Sequence, residues 1–64
     1  METENEVITI MKNMETQMLE AVTDAEKFSE GNNSAGTRVR KAMQNIKNLA
    51  QQVRLEVQSQ KNSN

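Results

Sequence analysis

Any chemistry in this 64-residue chain rests with its charged side chains, because it contains no His, Cys, Tyr or Trp. Four cations, Arg40, Lys47, Arg54 and Lys61, recur at intervals of seven. On an α-helix seven residues advance about 10.5 Å and drift only ~20° around the axis. The four therefore form one line that can follow a phosphate backbone. Arg38 and Lys41 flank Arg40 in the run RVRK, in what reads as the first turns of a helix. Free N–H groups at such a helix start, with two arginines beside them, suit an anion such as phosphate. The competing reading is neutralisation by nearby acids, with Glu30 reaching Arg38 across a turn and Glu26 level with Lys41. Exposed pairs of that kind are worth only about 0–1 kcal/mol each.

Other chemistry finds little support. Without His or Cys there is no base-activated nucleophile, and Gly31 and Gly36 lack the Gly-Lys-Ser/Thr run of a phosphate-cradling loop. Glu20 and Asp24, one helical turn apart, could share a hard cation only weakly, and a solvated acidic face is the simpler reading. The expectation is a non-enzymatic protein with no metal or cofactor.

The elements that position these charges follow from punctuation and periodicity. The net charge of −1 conceals a split: residues 1–32 hold eight acids against Lys12 and Lys27, and residues 33–64 hold six bases against Glu56. That is −6 followed by +5, a pattern expected of two halves that face each other or of an anionic partner. No proline occurs, so GNNSAG is the only strong break. The prediction is a single all-α domain over 1–64. Helix 1 covers about 4–30, capped by Thr3 or Asn5. A turn occupies 31–34, with Gly31 in the left-handed C′ conformation and Asn32, Asn33 and Ser34 tolerant of turn geometry. Helix 2 covers about 35–58, capped by Asn33 or Ser34, and residues 59–64 fray. Gly36 in the first turn of helix 2 costs roughly 1 kcal/mol against Ala, which points to a close approach by the facing helix or a ligand.

Apolar spacing supplies the pairing. In helix 1, Val7, Met11, Met14, Met18, Ala21, Ala25 and Phe28 step by fours and threes; in helix 2, Val39, Ala42, Ile46, Leu49 and Val53 do the same. Antiparallel neighbours keep a constant index sum. Met14 with Val53, Met18 with Leu49, Ala21 with Ile46, Ala25 with Ala42 and Phe28 with Val39 all share the sum 67. The expected hairpin core is these ten residues, centred on Asn33–Ser34. Methionine is frequent in this seam, which reads as a soft core more readily than as an adaptable groove.

A chain this short buries little surface and rarely gains more than roughly 3–5 kcal/mol from its own core. With no disulfide or zinc ligands available, self-association is the default. Ile8, Val22, Met43, Ala50 and Val57 widen the stripe on one side. Packing two hairpins there makes an antiparallel four-helix bundle, and a homodimer is expected. No apolar run approaches the ~20 residues of a membrane span, and METENEV lacks the basic start of a secretory signal. A cytoplasmic location is expected.

The run KFSEGNNSAGTRVRKAMQNIKNLAQQVRLEV resembles the bacterial linker-histone-like family, the chlamydial histone-like, nucleoid-associated DNA-binding proteins. That family has an aromatic before a GN turn, then A-G-T-R-x-R-K-A, then L-A-Q-x-[IV]-R-x-E-[IV]. Here these fall on Phe28, Gly31, Asn32, on Ala35 to Arg38, on Arg40 to Ala42, on Leu49 to Gln51, and on Val53, Arg54, Glu56 and Val57. The resemblance implies a helical hairpin that associates with DNA in the nucleoid and contributes to chromosome condensation. Arg38, Arg40, Lys41, Lys47, Arg54 and Lys61 are the residues expected to meet DNA. Condensing members carry a long Lys/Ala-rich tail that this sequence does not show, so the binding implied is weak, sequence-independent and salt-sensitive. The alternative is a helical oligomerisation or protein-interaction module without appreciable DNA binding.

Overall fold

The computed structural model describes residues 4–63 as two α-helices packed side by side: α1, Glu6–Ser29, and α2, Asn33–Asn62. Among the described residues there is no strand. The hairpin expected from the two apolar patterns is present.

Asn5 starts α1. Its side-chain oxygen accepts a hydrogen bond from the Val7 N–H at 2.8 Å, and Glu6 places a negative charge in the first turn. Thr3, the other expected cap, lies outside the described residues. The helix ends in a Schellman arrangement. The Asn32 N–H reaches the Lys27 carbonyl at 3.1 Å, and the Gly31 N–H reaches that of Phe28 at 3.0 Å. Closing both bonds requires Gly31 to adopt φ of 104°, a left-handed value that any Cβ would strain.

The connection is tighter than the sequence suggested, because α2 is capped by Asn32, whose Oδ1 accepts from the Ala35 N–H at 3.1 Å. Asn32 both completes the end of α1 and caps α2, so Asn33 and Ser34 are helical and the loop is only Glu30–Asn32. The hairpin is therefore centred near Gly31, and its register differs from the expected sum of 67. Asn5 lies opposite Gln60, Phe28 opposite Gly36 and Asp24 opposite Arg38, with index sums of 65, 64 and 62.

This shift turns α1 about its axis. Val7, Ile10, Met14, Gln17, Ala21 and Asp24 are the residues drawn toward α2. Met18 remains 44% exposed, Met11 and Ala25 are exposed as well, and Phe28 is 53% exposed. The polar Gln17 and Asp24 take seam positions that apolar spacing had assigned to Met18 and Ala25. A seam between only two helices is open to water along both edges, so an inward polar group keeps its hydration. On α2 the half-buried series runs through Val39, Ala42, Ile46, Leu49 and Val53 to Glu56 and Gln60, with Gly36 and Ala50 half-buried beside it.

Among the described residues only Ala21, at 3% exposure, and Ala35, at 0%, are buried. Both are alanines, whose single methyl lets the two backbones approach. Near the turn the Phe28 ring lies over Gly36, where an added Cβ would stand 2.6 Å from Phe28 Cδ1. That contact is the close approach the glycine serves.

At the far end α2 continues to Asn62 instead of fraying after Gln58. The cause is polar: Asn5 Nδ2 donates to Gln60 Oε1 at 2.8 Å, and Gln60 Nε2 donates back to Asn5 Oδ1 at 2.9 Å. Gln60 Nε2 also donates to Glu56 Oε1, and Gln58 Nε2 to Asn62 Oδ1. The cap of one helix thus fastens the end of the other.

Candidate nucleic-acid interface

The hairpin is a slab of 51 × 24 × 11 Å, one helix thick, with two unlike sides. One side is polar. Its groove between the helices is lined by Asn13, Gln17, Glu20 and Asp24 from α1 and by Arg38, Lys41 and Asn45 from α2. There Arg38 Nε donates to Asp24 Oδ1 at 2.9 Å. The partner of Arg38 is therefore Asp24 and not Glu30, because the tighter turn brings α2 level with an earlier turn of α1. Glu26 and Lys41 form no ion pair; Lys41 lines the groove that also holds Glu20.

The other side is apolar. One shallow groove on it is lined by Ile8, Met11, Met14, Met18 and Ile46, and another, nearer the turn, by Phe28, Gly36 and Val39. At about 100° per residue, Val22, Met43, Ala50 and Val57 fall on this same side. Of these, Val22, Met43 and Val57 are exposed and Ala50 is half-buried.

The cations expected to meet phosphate are divided between the two sides. Arg38 and Lys41 belong to the polar groove, beside carboxylates. Arg40, Lys47, Arg54 and Lys61 lie along the outer edge of α2 where it borders the apolar side, all four exposed. Arg40 forms part of the Phe28–Gly36 groove, and Lys47 and Arg54 flank Ala50 and Gln51. Among the described residues none of these four is in an ion pair, whereas Arg38 is. The line of four thus keeps its positive charge, and with no acid on that edge its field adds along the helix.

The corresponding edge of α1 carries Glu15 and Glu26, both exposed, with Lys12 lining the same groove as Glu15. At the start of α1, Lys12 Nζ donates to Glu4 Oε2 at 2.9 Å. The ammonium, helped by the Thr9 hydroxyl, holds the Glu4 carboxyl below the usual carboxylate range, and Glu4 in turn raises Lys12. No such pair forms on the basic edge of α2. Among the described residues no cluster of three His, Cys, Asp or Glu side chains could hold a metal ion, and no helix is long and apolar enough to cross a membrane.

Fold and charge together define a helical hairpin whose second helix carries a segregated basic edge. The chain belongs to the family described as histone H1-like protein Hc1, whose model matches residues 9–63. The match extends beyond the Lys27–Val57 run that carried the resemblance and takes in most of α1. No individual curated protein and no solved structure matches the chain.

Proposed function

We propose that this chain is a small histone-like, nucleoid-associated protein that contacts the DNA backbone without sequence preference through α2, and does so as a homo-oligomer. The observation that carries this reading is the line Arg40–Lys47–Arg54–Lys61, exposed, free of ion pairs among the described residues and repeated about every 10.5 Å along one edge of the helix. Membership of the histone H1-like family supports the choice of DNA as the polyanion. Arg38 and Lys41 contribute less, because carboxylates share their groove.

Four cations that meet phosphates and leave the base edges uncontacted bind any duplex alike. Such contacts are weak in one hairpin and become useful when copies are joined. The apolar side supports self-association: it is exposed, and the hairpin buries too little to be stable alone. Oligomers presenting several basic edges would gather DNA segments and so organise the chromosome. A cytoplasmic, nucleoid-associated location follows from this reading.

A salt titration against random-sequence duplex tests it. Four phosphate contacts predict a slope of log K against log salt of about −3 to −4, with affinity independent of sequence. Absence of binding at low salt would instead favour a helical interaction module that acts through its apolar side alone.

A further inference from the structure

The two edges that border the apolar side carry opposite charge, and this limits how two copies can meet there. We infer that a second copy of this chain covers the apolar side with α1 of each copy lying antiparallel along α2 of the other, both turns pointing the same way. The inference rests on the self-association reading above and specifies its geometry.

A slab one helix thick, with two buried residues among those described, has one obvious way to make a core: a second apolar slab. Its footprint, on the order of 1,000 Å², clears the roughly 800 Å² per partner of a standard interface. Two-fold symmetry allows two such packings. With the axis across the helices, α1 meets α1 and α2 meets α2. Lys47 then approaches its own copy and Arg40 approaches the partner's Arg54, with acids likewise against acids. With the axis along the helices, α1 meets α2, and residues keep the heights they have within one hairpin.

Those heights place opposite charges together. In-chain index sums of 62 to 65 put Glu15 level with the partner's Lys47, and the sums of 62 and 64 near the turn put Glu26 two to four residues, about one helical turn or less, from the partner's Arg40. The α2 edge holds no acid, and the α1 edge carries Glu15 and Glu26 beside a Lys12 already paired with Glu4, so the packing of α1 on α2 is the more complementary of the two. Complementary edges of this kind select orientation and register more than they add affinity. The basic edges of α2 then lie on opposite flanks of the bundle. One dimer faces two DNA segments instead of one, and the partner's carboxylates and DNA phosphates compete for the same cations.

The absence of native cysteine allows a direct test. Val22 and Met43 have an index sum within the hairpin's own range and both lie on the apolar side. Val22→Cys and Met43→Cys chains, mixed and oxidised, are expected to form a disulfide-linked heterodimer. Mixed Met43→Cys and Ala50→Cys chains are expected not to cross-link. Efficient cross-linking of that second mixture would overturn the packing while leaving self-association intact. Sedimentation of the native chain as a monomer at hundreds of micromolar would overturn both. The double variant Glu15→Lys with Glu26→Lys provides a check without cysteine. Its dimer should dissociate at several-fold lower dilution than the native dimer in low salt, with the difference vanishing in high salt. An unchanged dissociation constant would overturn the pairing of the edges.

Discussion

Gly36→Ala separates two effects that usually oppose each other. On helix propensity alone the added methyl stabilises α2 by about 1 kcal/mol. In the native hairpin, however, the new Cβ would stand 2.6 Å from Phe28 Cδ1 and 2.7 Å from Cε1, so the ring has to move. Phe28 is 53% exposed, so about half its burial is at stake. Full burial of such a side chain contributes about 1.5–3 kcal/mol, which sets the cost of displacing the ring near 1 kcal/mol. Forcing the methyl against a ring that stays costs about 1–3 kcal/mol. The substitution is therefore expected to range from neutral to about 2 kcal/mol destabilising. In a Phe28→Ala background the obstacle is gone, and the same substitution is expected to stabilise by about 1 kcal/mol. Urea unfolding followed by helical circular dichroism, at one fixed protein concentration, measures both legs of the cycle. The coupling energy should be at least about 1 kcal/mol. A gain of about 1 kcal/mol in both backgrounds would show that Phe28 does not occupy the space over Gly36.

Other substitutions probe the turn and the ends. Asn32→Ala removes the side chain that caps the N-terminus of α2 and should cost about 1 kcal/mol in the same urea assay, whereas Asn33→Ala should cost far less. Gln60→Ala opens the amide pair with Asn5, so amide hydrogen exchange should quicken over 58–62 and leave 39–53 unchanged. The Glu4–Lys12 pair has a definite pH window. Because Glu4 is lowered, its contribution is present above the ordinary carboxylate range and lost as pH falls through the lowered value. Because Lys12 is raised, the contribution survives until pH rises through that higher value. Lys12→Gln should therefore flatten the acid-side change in α1 helicity while leaving thermal stability at neutral pH nearly unchanged, since the pair is exposed.

Which parts of this arrangement could be read in the sequence depends on how local their signals are. Gly31 was readable as the end of α1 because a left-handed residue there all but requires glycine. The α2 seam from Val39 to Val53 was readable because its apolar spacing admits one helical face. On α1, Met11, Met18 and Ala25 satisfy the same periodicity as Ile10, Gln17 and Asp24, and apolar identity selected the wrong set. The phase was decided by Asn32, one of three successive residues able to cap a helix. Its double use in the turn moved the register and, with it, the partner of Arg38. The added turn of α2 depends on an amide pair between Asn5 and Gln60, which no local pattern announces. The line of four cations survives all of this because a spacing of seven keeps residues on one edge whatever the register. That Arg38 and Lys41 belong to the opposite side becomes visible only once the phase of the seam is known.

The central claim is that DNA is met by one edge of α2 and not by the whole basic cluster. The direct measurement compares salt slopes for two double variants of equal charge change on random-sequence duplex. Lys47→Ala with Arg54→Ala should reduce the slope by about 2 and abolish most binding at moderate salt. Arg38→Ala with Lys41→Ala should leave the slope nearly as in the native chain. Equal losses in the two, or a greater loss in the second, would contradict the account.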